Sequence, residues 1–267
     1  MQENFTGHSG CNVRLIKDGS RYFVRKTSAS ENYNSRLEKQ MRKQARFQDD
    51  CLNAPVVIRN GYENGLFFFD MEYIKGETAV EYLRKHSPNY TEKFVHKLIE
   101  SVFEKEAIKD VRVDSVFKDK IMALRNTIHE DNDVIRRAFD VLDSTDWSGV
   151  KKSQCHGDLT LENIIVRDNG DVYLLDFLDS FYDSYIIDAG KMLQDAIGKW
   201  SFRDDCGLAD THTIYKRAVI EEMQNKKEMD IAMRVALLHL LRIIPYSHTV
   251  QDRDFVINSI KMNLELL

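Results

Sequence analysis

The chain has 267 residues, 43% of them apolar and 30% charged, with 38 Lys and Arg against 43 Asp and Glu for a net charge of −5. That length allows two packed lobes around one cleft, and that apolar fraction allows a sizeable core. The slight acidic excess, with both signs intermixed, gives no nucleic-acid footprint, and the most apolar stretch, 231–244, is too short and too interrupted by charge to cross a bilayer.

The opening MQENFTGHSG has neither the basic start nor the apolar run of a signal peptide. Cys11, Cys51, Cys155 and Cys206 follow no metal or disulfide spacing and are expected as free thiols in a reducing cytosol, so a cytoplasmic protein is expected. Only Pro55, Pro88 and Pro245 interrupt the chain, which favours long helices over a many-turned β fold. Gly7 and Gly10, with Ser9 between them, allow the backbone to approach a phosphate and add a hydroxyl donor; an ordinary turn is the equal alternative. Residues 12–17 and 21–26 read as strands turned at Asp18-Gly19, and 56–63 and 66–73 as strands joined at Asn64-Gly65. Between the pairs, 32–49 reads as a helix with Leu37, Met41, Ala45 and Gln48 on a narrow face. Helical periodicity then covers 79–85, 92–106, 115–129 and 133–143. After a break at 144–152, short apolar runs at 163–166 and 172–175 flank Asp168-Asn169-Gly170 as a small hairpin. Helices are expected again at 185–197, 213–227, 231–244 and 254–266. Strands around one helix, then helices around one hairpin, is an α+β layout.

The strongest chemical signal is Cys155-His156-Gly157-Asp158-Leu159-Thr160-Leu161-Glu162-Asn163, followed by the hairpin and Asp176-Phe177. This is H-x-D-x-x-x-x-N, then strand, turn, strand, then D-F: the catalytic-loop and metal-loop arrangement of kinases. The spacing has a physical reason. One carboxylate must meet the acceptor hydroxyl, while an amide oxygen and a second carboxylate hold magnesium against the nucleotide phosphates. A hairpin five residues past Asp158 returns the second carboxylate to the amide.

With Gly157 where protein kinases carry Arg, the motif resembles the aminoglycoside phosphotransferase and choline kinase group of kinase-like enzymes, and the resemblance runs over essentially the whole chain. It implies a bilobal protein-kinase-like fold, with a small β-rich nucleotide-binding lobe over 1–73 and a larger, mostly helical catalytic and acceptor-binding lobe over 74–267. It implies ATP or GTP as co-substrate and Mg2+ as cofactor. Asp158 becomes the base or hydroxyl-orienting residue, Asn163 and Asp176 the metal ligands, and His156 and Asp188 braces of the loop, with Asp188 capping the next helix as the other option. Lys26 resembles the strand lysine that meets the α- and β-phosphates, with Arg25 on the opposite face. Its helix partner is expected to be Glu38, the only acidic residue inside that helix, with Gln40 and Gln44 at equally good turns. Residues 67–76 resemble the last strand and hinge of the first lobe, placing Met71 at the back of an adenine pocket and the Glu72 carbonyl and Ile74 amide at the base.

Asp179 and Asp183 either meet a cationic acceptor or solvate a loop. His239 and Arg242, three apart on a helix near Tyr246, are either an anion site or, the preferred reading, a satisfied polar spot on a core helix. The resemblance implies a phosphotransferase acting on a hydroxyl of a sugar, amino sugar or amino alcohol, with no nucleic-acid or membrane partner. Asp176-Phe177-Leu178 lacks the glycine of D-F-G and no A-P-E follows, which disfavours a protein kinase. A nucleotide-binding scaffold on the same fold is the other alternative, opposed by the intact Asp158, Asn163 and Asp176.

Overall fold

The computed structural model describes residues 3–5, 11–203, 207 and 209–267. They fall into two compact units: one comprises the described residues up to Thr78 together with Asn163–Asp179, the other Ala79–Glu162 with Ser180–Leu267.

In the first unit, β1 (Glu3–Phe5), β2 (Cys11–Asp18) and β3 (Arg21–Ser28) are followed by a 3-10 turn and helix α1 (Asn34–Ala45), then β4 (Leu52–Asn53), β5 (Val57–Glu63), β6 (Leu66–Glu72) and β7 (Glu77–Thr78). Five of these strands make an antiparallel sheet in the order β1-β2-β3-β6-β5. Both expected hairpins form. At the second, Asn64 and Gly65 both take positive φ (51° and 79°), the conformation that a two-residue turn matching strand twist requires. Phe67 and Phe69 alternate onto the face that packs with Leu37 and Met41 of α1, where Met71 joins the cluster. The opposite face carries Phe68 and Asp70, also buried. There Arg25 lies over the Phe68 ring (4.0 Å) and grips Asp70 with two bonds (2.7 and 3.0 Å), while Arg59 adds a third at 2.6 Å. A carboxylate 1% exposed is tolerated because three charge-assisted bonds satisfy it.

The buried stripe of α1 is Leu37, Gln40, Met41 and Gln44, not Leu37, Met41, Ala45 and Gln48. The glutamines can lie inward because their amides find partners: Gln40 with the Tyr33 hydroxyl (3.2 Å), Gln44 with the Pro55 carbonyl (2.8 Å). The expected hairpin, β10 (Ile164–Val166) and β11 (Val172–Leu174), belongs to the first unit by its contacts. It forms a second sheet in the order β4-β11-β10-β7, with β4 and β11 parallel.

The second unit contains α2 (Ala79–Lys85), α3 (Pro88–Phe103), β8 (Ala107–Lys109), α4 (Val113–Thr127), α5 (Asp133–Asp143), β9 (Lys151–Ser153), α6 (Tyr185–Gly198), α7 (Ala209–Met223), α8 (Met229–Leu241) and α9 (Val250–Leu264). The paired strands β8 and β9 were not foreseen: three residues are too few to display a period of two. Helices α2, α5 and α6 start where the pattern places them, while α3, α4, α7, α8 and α9 start earlier, since the first turn need not carry the apolar repeat. Pro88 occupies the first turn of α3, and the Thr249 hydroxyl accepts the Asp252 N–H (3.0 Å) at α9. Helix α6 is the centre of the unit, packed by α3, α7, α8 and α9, and every one of its residues but Lys191 is buried. Cys11, Cys51 and Cys155 are in no disulfide, and Cys206 lies outside the described residues. Among the described residues no helix is long and apolar enough to cross a membrane.

Candidate active site

In the second unit, the loop after β9 carries the H-G-D sequence and is held from behind by α6. His156 is fully buried, and its Nδ1 accepts the Asp158 N–H at 3.2 Å. Asp188, in the first turn of α6, accepts two backbone donors in succession, His156 N–H (2.6 Å) and Gly157 N–H (2.7 Å). Turning two consecutive amides toward one carboxylate takes Gly157 to φ +93°, a conformation glycine adopts without a Cβ penalty. Ser184, not Asp188, caps α6. Asp188 braces the loop, and the positive end of the helix favours its charge.

Asp158 is half-exposed, and its Oδ1 lies 2.9 Å from Lys191 Nζ on α6. At the far end of the loop, Asp195 Oδ2 accepts the Leu161 N–H (2.6 Å) and the Ser201 hydroxyl (2.8 Å), while Oδ1 accepts the Ser201 N–H (2.7 Å). Asp188, Lys191 and Asp195 stand at i, i+3 and i+7, a single stripe of α6. Sequence reasoning found only the first. Three charges at helical spacing in an otherwise apolar segment were the available signal for the other two.

In the first unit, Lys26 on β3 is 3% exposed, and its ammonium meets the Asp176 carboxylate and Gln40 Oε1 (3.3 Å). Glu38 is not its partner: it lies off the buried stripe, half-exposed, and pairs with Arg42 one turn on (2.6 Å). Gln40 takes the inward position, since a neutral amide there needs no counter-charge. Asp176 has φ +64°, and Phe177 after it is buried edge-on against Phe47, with ring centres 5.1 Å apart. The Asn163 carbonyl accepts the Leu175 N–H (2.8 Å), so the hairpin brings Asp176 one residue past the partner of Asn163.

Met71 is half-buried beside Gln44. The Glu72 N–H donates to the Val56 carbonyl (2.9 Å) and its carboxylate pairs with Arg167 (2.8 Å), while Ile74 is buried. Gly7, Ser9 and Gly10 lie outside the described residues. Asp179, in the first unit, is 3.7 Å from the exposed Lys39 ammonium; Asp183, in the second, accepts the Cys155 thiol at 3.5 Å. His239 is buried, with Nε2 on the Ile187 carbonyl (3.2 Å) and Nδ1 on Arg242 (3.3 Å).

Residues 5–223 match a family model described as the phosphotransferase enzyme family. The chain belongs to that family. Solved structures repeat the fold of this phosphotransferase across almost all of it. A thermostable mutant of aminoglycoside phosphotransferase APH(4)-Ia, in ternary complex with AMP-PNP and hygromycin B, is 11% identical over 99% of this chain and 93% of its own, with a TM-score of 0.73. A putative fructosamine-3-kinase from Haemophilus somnus 129PT is 15% identical (99% and 91% covered, TM-score 0.61), and the gentamicin complex of APH(2")-IIa 17% (99% and 91%, TM-score 0.62). Such identities carry the fold, which is the kinase-like α+β architecture expected from the motif, and leave the substrate open. No curated protein matches the chain.

The Asp195 brace gives the phosphotransferase a pH signature. Burial pushes this carboxyl up to about 6, against the hydrogen bonds from Leu161 and Ser201 that favour its charged form. The folded state therefore holds the proton more tightly than the unfolded chain. The resulting stability is fully present below about pH 4 and is lost as pH rises through about 6, amounting to about 3 kcal/mol. Urea melts of wild type and Asp195→Asn should show a stability difference that changes by about that much between pH 4 and 7. A difference constant with pH would mean that Asp195 does not titrate in this range.

Proposed function

We propose that the chain transfers the terminal phosphoryl group of ATP or GTP to a hydroxyl of a small metabolite, a sugar, amino sugar or amino alcohol. Asp158 is the residue that receives the hydroxyl proton. The observation that carries this reading is a half-exposed carboxylate on a loop whose backbone is pinned before it by Asp188 and after it by Asp195, which suits a group that must be accessible and still hold one direction. In the reaction the acceptor oxygen forms a bond to the γ-phosphorus, its proton passes to Asp158, and the bond from γ-phosphorus to the bridging oxygen breaks to release the nucleoside diphosphate.

Asn163 and Asp176 are hard oxygen donors on adjoining hairpin positions and fit Mg2+. When bound, the ion would neutralise phosphate charge. Lys26, buried and already aligned by Asp176 and Gln40, is the cation for the phosphates in this reading, and the backbone at Gly7, Ser9 and Gly10 cradles them. Met71, Glu72 and Ile74 make the adenine end, and His156 and Asp188 keep the loop in shape. Residues 1–73 thus act mainly on the nucleotide, and 74–267 on chemistry and acceptor.

Gln40 in place of an acidic partner is the one observation favouring a nucleotide-binding scaffold instead. The carboxylate of Asp176 on the same ammonium weighs against it.

The test is magnesium-dependent transfer from ATP and GTP across a panel of sugars, amino sugars, glycated amines, amino alcohols and aminoglycosides. Asp158→Ala should lower the rate with the preferred acceptor by about 10²–10⁴-fold while leaving nucleotide affinity unchanged. Nucleotide binding with no transfer to any acceptor would favour the scaffold, and no nucleotide binding would sink both readings.

A further inference from the structure

We propose that Lys191 is a positioning residue for phosphoryl transfer, clamping one oxygen of Asp158 so that the carboxylate faces the acceptor in a single orientation. The inference rests on the reading of Asp158 as the base. Lys191 is the one residue of α6 that is not buried, on a helix otherwise enclosed along its length. Its side chain is still only 11% exposed, and the ammonium is directed at Asp158 Oδ1, 2.9 Å away.

The lysine is itself held. Gln194, one turn on and 1% exposed, offers Oε1 to the same ammonium at 3.1 Å. The other end of that amide, Nε2, is buried with no partner among the described residues. An orphaned buried donor is unfavourable, so what Gln194 contributes here is its oxygen, and that oxygen serves Lys191. The helix is fixed in turn by its approach to α8. A Cβ on Gly190 would stand 2.6 Å from Val235 Cγ1, so no side chain separates the two helices beside Lys191.

On α8, His239 is near enough to Lys191 to feel its charge. Burial first, then Lys191 and Arg242, push this imidazole well below its usual range. It stays neutral, donating Nε2–H to the Ile187 carbonyl and accepting from Arg242 through Nδ1, so it adds no competing cation behind the ammonium. A free aspartate rotates about two side-chain bonds. With Oδ1 tied to a lysine that is itself tied to Gln194, the carboxylate loses much of that rotational freedom.

The experiment compares kcat and KM for magnesium-ATP in wild type, Lys191→Met, Lys191→Arg and Asp158→Ala. The acceptor is the most active compound of the panel above at saturation, or water where none exceeds it, and a thermal melt of each variant is recorded. Lys191→Met should lose about 10²-fold in kcat with KM within about twofold, and Lys191→Arg, which can pair with the same oxygen, should recover to within about tenfold of wild type. Wild-type kcat in Lys191→Met alongside an inactive Asp158→Ala would overturn the positioning role and leave the base in place. So would a well-folded Lys191→Arg as impaired as the methionine variant. An Asp158→Ala enzyme as fast as wild type would instead remove the reading beneath both.

Discussion

Asp188→Ala is expected to lower stability by about 3–5 kcal/mol and to reduce phosphoryl transfer to below about one part in a thousand in the fraction that remains folded. The magnitude comes from what the carboxylate satisfies. Asp188 is 5% exposed and accepts from two adjacent backbone amides, one belonging to a fully buried residue and the other to a residue at φ +93°. Without it both donors are orphaned where water does not reach, at about 1–3 kcal/mol each and more for bonds to a charged group. The activity loss exceeds the stability loss because the two amides immediately precede Asp158, the base in the proposed reaction, and a base displaced by about 1 Å can lose about a hundredfold or more. Asp188→Asn separates the causes. Its single amide oxygen can serve one donor while its NH2 faces the other, so about half of the stability should return with little of the rate. Urea melts combined with rates per folded molecule would decide this, and full activity in either variant would mean that the loop holds its shape unaided.

Asp176→Asn should retain the fold and lose magnesium-dependent transfer by about a thousandfold or more. Asparagine tolerates the left-handed backbone that Asp176 adopts at φ +64°, so the hairpin has no reason to move. What disappears is the charge that faces Lys26, whose side chain is almost wholly enclosed and keeps only neutral amide oxygens among the described residues, that of Gln40 and that of the substituted side chain. Because the Asp176 side chain is itself 39% exposed, water can take over part of the pairing, and the stability loss should stay at about 1–3 kcal/mol, below the cost of about 3–5 kcal/mol for breaking a fully buried ion pair. Asp176→Gly sharpens the test, since relieving the positive φ returns about 1 kcal/mol without restoring a carboxylate. If the glycine variant is the more stable of the two and equally inactive, the loss belongs to the charge. In thermal shifts, magnesium should add to the stabilisation by nucleotide in wild type and add nothing in either variant.

Much of this architecture was readable from the amino acids alone, wherever a local rule decides the structure. Asp18-Gly19 and Asn64-Gly65 mark hairpins because their backbone preferences match those turns, and the small hairpin after Asn163 follows from two apolar runs around Asp168-Asn169-Gly170. The loop motif was legible because its polar residues stand at spacings that chance seldom produces. What stayed hidden depends on partners distant in sequence. Gln40 and Gln44 stand at turns as good as that of Glu38, and what seats them inward is the bonding their amides find with Tyr33 and Pro55. Choosing Glu38 for Lys26 followed charge type, while the buried face of α1 follows the positions of Leu37 and Met41. Lys191 and Asp195 share helical spacing with Asp188, but the helix sequence does not say that a loop some thirty residues earlier lies against them. Strands β8 and β9 escaped for a simpler reason, being too short for any periodicity.

The stripe on α6 also ties the order of the loop bearing Asp158 to the packing of that helix. The amides of His156, Gly157 and Leu161 all end on side chains of one enclosed helix, so any shift of α6 against α3, α7, α8 and α9 displaces the acceptors that hold the loop. Substitutions in the packing around that helix, however far from any reacting atom, therefore act on turnover through the same contacts, and the tolerance of this enzyme to core drift is limited by the order of a loop whose Leu159 and Leu161 are themselves part of the buried core.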